Sequence, residues 1–303
     1  MGEIKLFKVS SQNATEIGGK KIELEKSLQT LFEKNLETFL GIRFLYSEYS
    51  TGKIHGGRID SLGLDENGCP VIIEYKRAIN ENVINQGLFY LDWLLDHKAD
   101  FKLLVMDTLG KDQSDKVDWA APRLICVAPA FTKYDQHAVR QINRNIDLLS
   151  YRRFGDDLIA IELVHSNNAS DGLPVEEIEK PKDAKKGDKP VAQWLEEMDE
   201  IMLNLVNELR SFILALGDDV TEKQLKLYLA YRRIKNFACV VLQKKSLQIQ
   251  VKIDPETVHL EEGFTKDVRK IGHWGTGDLQ ITIRGKEDLI KAQPLLVRSY
   301  EEA

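Results

Sequence analysis

Residues Gly56–Arg77 read GGRIDSLGLDENGCPVIIEYKR, and the rest of the chain is organised around this stretch. Two apolar arms, Arg58–Leu64 and Val71–Lys76, flank the DENG turn of Asp65–Gly68, where Asn67 and Gly68 are expected to supply the positive φ of a tight hairpin. The second arm opens with Val71, Ile72 and Ile73, the run of a strand buried on both faces, and then carries Glu74 and Lys76. Charges at the end of such a strand need a reason, because burying them unpaired is costly. Strand parity puts Glu74 and Lys76 on one side and Tyr75 on the other. Counting back through the turn sets Asp60 opposite residues 73 to 75, where facing Cβ atoms lie about 4.5–5.5 Å apart. Two carboxylates and a lysine converge on one point.

Two hard oxygen ligands with open coordination positions suit Mg²⁺ or Mn²⁺, which keep several waters and accept further oxygens from phosphate. Lys76 would orient a nucleophile or stabilise developing charge, so the chemistry implied is phosphodiester hydrolysis. A structural salt bridge between Lys76 and one of the acids fits the same three residues. The triplet alone decides nothing, since an acid two residues before a lysine recurs at Glu3 and Lys5, Asp96 and Lys98, Asp100 and Lys102, and Asp183 and Lys185.

Around the hairpin, Leu24, Leu28, Leu31, Phe32, Leu36 and Phe39 recur at helical spacing over Ile22–Leu40, with Gly41 as a stop and Lys26, Thr30, Glu33 and Glu37 on the opposite, solvated face. Ile42–Tyr49 reads as a strand before the hairpin. Asn82–Asp96 reads as a second helix, Arg123–Val127 as a buried strand, Tyr134–Asp147 as a helix and Leu158–Val164 as a last strand.

Asp60, thirteen intervening residues, then Glu74-Tyr75-Lys76, with a helix before and after, resembles the PD-(D/E)XK nuclease superfamily. Within it, the segment Ile22–Trp93 is similar to the nuclease domain of archaeal NucS-type endonucleases. The resemblance implies an α/β fold with a restriction-endonuclease-like core of helix, three strands, helix and strand, its mixed central sheet flanked by helices. It implies metal-dependent cleavage of DNA, single-stranded or branched, in repair or defence, with Asp60, Glu74 and Glu25 as ligands to Mg²⁺ or Mn²⁺ and Lys76 activating. Glu25 enters through the family setting Glu-x-x-apolar-Gln, here EKSLQ with Gln29; a first-turn glutamate complementing the helix dipole explains it as well. Gln86 and Tyr90, four apart in NQGLFY, match a further family pattern and share a helix face; the resemblance implies that Gln86 holds the metal-bound water or a phosphate oxygen and that Tyr90 contacts nucleic acid. Arg58 and Arg77 bracket the acids as phosphate contacts or as charge partners of Asp60 or Glu74. A module that keeps the fold but only holds nucleic acid or a partner protein is the alternative. Oligomeric state is left open, a homodimer included. The chain departs from the NucS pattern in having about twenty residues, not a domain, before its first helix.

Ser166–Pro190 is polar, carries three prolines and mixes both signs of charge. It reads as a linker between a nuclease-like domain (1–165) and an α+β accessory domain (191–303). In the latter, Trp194–Leu216 reads as one long helix whose stripe includes Ile201, Phe237–Leu242 and Leu247–Ile253 as a hairpin, Leu279–Ile283 as a strand and Glu287–Tyr300 as a helix. Tyr228–Lys245 interleaves aromatic and basic residues; it reads as a helix followed by a strand, or as a stacking surface for nucleic acid. The glycine-rich loop Gly272–Asp278 has neither a P-loop lysine nor a dinucleotide fingerprint. This region resembles a domain of unknown function sometimes labelled a predicted transport protein.

The net charge of -6 gives no global basic footprint, so nucleic acid would need a local basic groove or bound cations. Cys69, Cys126 and Cys239 have no paired spacing and read as buried small hydrophobes, not as disulfides or a zinc site. The opening MGEIKLFKVS interleaves charges with apolar residues, and no run is long enough to cross a bilayer; the expectation is a cytoplasmic protein.

Overall fold

The protein is described by a computed structural model over residues 4–11, 13–20, 25–76, 83–169 and 189–303. It is a mixed α/β chain that divides into two units. The first comprises Met1–Leu64, Pro70–Val117 and Pro122–Asp171, and the second Asp65–Cys69, Asp118–Ala121 and Gly172–Ala303. Of the expected linker, residues 170–188 lie outside the described residues.

The first unit starts its core with α1 (Glu25–Leu40), where Leu28, Phe32, Leu36 and Leu40 recur every fourth residue and are all buried. Each such side chain contributes about 1.5–3 kcal/mol when withdrawn from water. Gly41 ends the helix at φ 66°, the left-handed geometry that a helix stop favours. A meander follows: β1 (Arg43–Ser50), β2 (Arg58–Leu64) and β3 (Pro70–Tyr75), paired antiparallel in order. Then come α2 (Val83–Asp96), β4 (Arg123–Ala128), β5 (Asn145–Phe154) and β6 (Leu158–Asn167). β3, β4 and β5 run parallel, and β6 returns antiparallel to β5. With Gly19–Lys20 on β5 this makes a seven-stranded mixed sheet, with β1 at its edge. α2 lies close on the sheet because Gly87 has no Cβ; one added there would come within 2.4 Å of the Leu124 side chain.

The order helix, three strands, helix, strand is the expected one, with additions and one altered segment. A helix at Lys98–Leu109 stands where none was expected. The segment expected as a helix over Tyr134–Asp147 is helical only at Lys133–Arg140, and its last residues begin β5. Ile146, Leu148 and Leu149 are buried in that strand, an apolar density that helix and central strand share.

The second unit has a six-stranded antiparallel sheet in the order Thr221–Gln224, Leu229–Arg232, Asn236–Gln243, Ser246–Val251, Leu279–Ile283, Thr265–Asp267. Helices Glu200–Leu214 and Lys286–Glu302 contribute Leu205, Val206, Leu209, Ile213, Leu289 and Leu296 to its core. The expected single helix over Trp194–Leu216 is two. Met198 turns extended at ψ 140°, and the Asp199 side chain accepts from the Met202 N–H to cap the second piece. The phase shift leaves Ile201 81% exposed instead of in the core. Tyr228–Lys245 is a strand pair, not a helix and strand, and Tyr228, Tyr231 and Phe237 are buried, which removes them as a stacking surface. All three cysteines are buried, and none is in a disulfide. Among the described residues no helix is long and apolar enough to cross a membrane.

Candidate active site at the open end of the hairpin

The β2–β3 register runs Leu64↔Pro70, Gly63↔Val71, Leu62↔Ile72, Ser61↔Ile73. Its turn needs positive φ at Gly68 alone (78°), where two such residues were expected. One step beyond Ser61↔Ile73, carboxylates take over from the ladder. The Asp60 N–H donates to Glu74 Oε1 at 3.1 Å, and the Tyr75 N–H donates to Asp60 Oδ2 at 3.0 Å. Asp60 and Glu74 therefore lock across the strand ends. Tyr75 points to the α1 side, edge-on to Phe32 with ring centroids 5.6 Å apart.

Glu74 is fully buried. Its second oxygen, Oε2, has no hydrogen-bond partner among the described residues. Burial pushes its carboxyl up to about 9, helped by the neighbouring Asp60 charge; the Asp60 N–H and the Lys76 charge oppose this. At neutral pH Glu74 holds a proton. Desolvation, with Glu74 as its first charged neighbour, also holds the Cys126 thiol well above its usual range, in keeping with Cys126 standing beside Glu74 in the β3–β4 register.

α1 supplies a polar cluster on the other face of β2. Gln29, 4% exposed, donates from Nε2 to the Asp60 carbonyl at 2.7 Å and to Glu33 Oε1 at 2.8 Å. The Ser61 hydroxyl donates to the same Glu33 oxygen at 2.8 Å. Glu33, expected on the solvated face, instead turns to β2. The missed signal is the four-residue spacing of Glu25, Gln29 and Glu33, which places all three on one helix face. Glu25 opens α1, but its side chain lies outside the described residues, as does Arg77.

Arg58 is exposed and pairs with neither Asp60 nor Glu74: its Nε lies 2.6 Å from Glu48 Oε2. Lys26 lies 3.0 Å from the other Glu48 oxygen and, with Arg58, holds that carboxyl below the usual glutamate range. Glu48 itself sits at φ 58°, a left-handed conformation uncommon for a side-chain-bearing residue. Tyr90 is buried against Gly57, where an added Cβ would come within 2.4 Å of its ring, and its hydroxyl accepts from the Arg58 N–H at 3.1 Å. That makes Tyr90 a packing residue for the start of β2, not an exposed contact. Gln86, half-buried, reaches the Tyr90 hydroxyl at 3.5 Å, so this pair does share a face. Among the described residues no three His, Cys, Asp or Glu side chains cluster closely enough to cage a metal ion.

These features define a mixed α/β protein with two carboxylates, Asp60 and Glu74, joined across the open end of a hairpin. Residues 191–303 match the model of a domain of unknown function, DUF5655. Over 99% of its length the chain is 29% identical to an uncharacterized protein of Haemophilus influenzae, all of which is covered. Two solved structures are similar over 43% of the chain, each at 22% identity. One is a repair endonuclease from Pyrococcus abyssi (TM-score 0.29, 49% of that chain), the other an EndoMS complex with double-stranded DNA (TM-score 0.26, 47% of that chain). The match thus spans about half the length of each.

Proposed function

We propose that the first unit is a PD-(D/E)XK-type phosphodiesterase that cleaves DNA with Mg²⁺ or Mn²⁺, Asp60 and Glu74 being the cation ligands and Glu25 a third. The observation that carries this reading is Glu74: a buried carboxyl, one oxygen bonded to the Asp60 backbone and the other without a donor. A folded core seldom keeps such an atom unless something else binds it. The donor set fits a hard cation, being two carboxylates on adjoining strands with Lys76 two residues beyond Glu74.

When bound, the cation supplies charge neutralisation and acidifies water at the scissile phosphate. The protein's own residues do the rest. To serve as a cation ligand Glu74 would release its proton to solvent, since a coordinating carboxylate must be ionised. Asp60 is held in register by the Tyr75 N–H. Lys76 orients the attacking water or donates to a non-bridging phosphate oxygen, and Gln86 holds a further phosphate oxygen or the water. One P–O bond forms to the water oxygen and one breaks to the leaving alkoxide, which takes up a proton.

The test is cleavage of single-stranded, duplex and flap DNA by the full chain with Mn²⁺, against Glu74→Ala. Cutting by wild type alone is the expected result; identical, uncut substrates with both proteins would overturn the reading. A melting temperature raised by Mn²⁺ without cleavage would point to the non-cleaving nucleic-acid or protein-binding alternative.

A further inference from the structure

At Asp60 the regular register stops on one side, that of β3, and continues on the other. The β2–β3 pairing ends at Ser61↔Ile73, whereas the β1–β2 pairing keeps its register from Ser47↔Ser61 to Tyr49↔Ile59, with the left-handed Glu48 opposite Asp60. Towards β3 and α1, the residue that carries the front carboxylate is therefore placed through side-chain hydrogen bonds. Its N–H goes to Glu74, its carboxyl takes the Tyr75 N–H, and its carbonyl takes the amide of Gln29 at 2.7 Å, the shortest of the three.

Gln29 is itself fixed. Its Nε2 has two protons and faces three acceptors: the Asp60 carbonyl, Glu33 Oε1 at 2.8 Å and the Ser47 hydroxyl at 3.2 Å. The two short contacts take the two protons, while Oε1 accepts from Lys26 Nζ at 3.2 Å, which sets which way round the amide lies. Glu33 is steadied by the Ser61 hydroxyl, donated from the residue next to Asp60. The chain of contacts runs from Ser61 through Glu33 and Gln29 back to Asp60, closing a loop between α1 and β2.

Resting on the cation reading above, we propose that Gln29, oriented by Glu33, is a positioning residue that sets the height of Asp60 relative to Glu74 and so the cation affinity of the pair. Ligand carboxylates depend on the groups that hold them, and removing such a partner costs about 10–100-fold in metal affinity or activity. Gln29→Leu keeps the bulk and removes both donated bonds. Ser47→Ala removes the longest contact and leaves the Asp60 bond intact.

The experiment is Mn²⁺ titration of the full chain, read by calorimetry and by melting temperature, for wild type, Gln29→Leu and Ser47→Ala, with cleavage measured in parallel. Gln29→Leu is expected to raise the half-saturating Mn²⁺ at least about tenfold, and Ser47→Ala to leave it within about twofold, although both lower the melting temperature. Should Gln29→Leu fail to fold, Gln29→Glu replaces it, with the same shape but no protons to donate when ionised. Wild-type and Gln29-variant titrations that coincide, while wild type binds Mn²⁺, would overturn this inference alone. A wild type that binds no Mn²⁺ would remove both this inference and the function it rests on.

Discussion

Asp65 and Glu74 are both buried carboxylates that bracket β3, yet they are used in opposite ways. At the turn, Asp65 Oδ1 accepts from the Asn67 and Cys69 N–H groups at 2.9 and 2.8 Å, and the Asp65 carbonyl takes the Gly68 N–H. Backbone donors on a short leash stabilise the charge, and the carboxylate in turn fixes the turn. At the open end Glu74 has a longer side chain, one backbone donor at 3.1 Å and an oxygen with none. The first arrangement is complete without a ligand. The second costs stability in isolation, a cost that the proposed cation would offset.

The largest expected effect separates the two in function. Glu74→Gln and Asp60→Asn should each lower Mn²⁺-dependent DNA cleavage by roughly 1,000-fold, measured as initial rates at saturating Mn²⁺, whereas Asp65→Ala should leave the rate per folded molecule within a few-fold of wild type. Equal losses at all three positions would erase the contrast.

The next effect is on stability, and its sign follows from the raised carboxyl of Glu74. The folded state holds a proton up to about pH 9, whereas the unfolded glutamate releases it near 4.5. Between those values the folded state binds more protons, so stability falls as pH rises, by up to about 1.4 kcal/mol per pH unit. Urea melts of wild type at pH 5 and pH 8 should show that fall. Glu74→Gln should flatten it and be the more stable protein at pH 8 while losing cleavage. Asp65→Ala should go the other way, losing about 2 kcal/mol by orphaning two backbone donors, with no change in the Mn²⁺ response.

How much of this was legible differs between the two ends of the hairpin. Turn, strand limits and the nearness of Asp60 to Glu74 follow from parity and the DENG signal, because a hairpin is local. The tilt of α1 over β2 is not local. Glu33 was assigned to water because its helix was read by its apolar stripe alone, whereas the Ser61 hydroxyl beneath it makes that position polar and half-buried. The partner of Arg58 was equally hidden, since Glu48 reaches it only through a left-handed residue at φ 58°. The break before Asp199 was readable in principle, as aspartate is a strong N-cap, but an uninterrupted apolar count ran across it. Over Lys98–Leu109 the exposed Leu103 and Met106 blur the helical period, so no helix is expected there from the apolar pattern.

The smallest expected effect concerns Tyr90, which the family pattern places among nucleic-acid contacts and the structure places in the core. Its hydroxyl accepts the Arg58 N–H at 3.1 Å, two residues before Asp60, and its ring fills the space that Gly57 leaves. Tyr90→Phe keeps the ring and removes only the acceptor, so the Arg58 N–H loses its partner at a cost of about 1 kcal/mol. A packing residue predicts that this loss appears in the melting temperature, with DNA affinity and cleavage rate within about twofold of wild type. A base-stacking or phosphate-contacting residue predicts the reverse, with unchanged melting and weaker binding, most visibly at high salt. Measuring both on one preparation decides whether the open end of the hairpin meets its substrate through α2 or only leans on it.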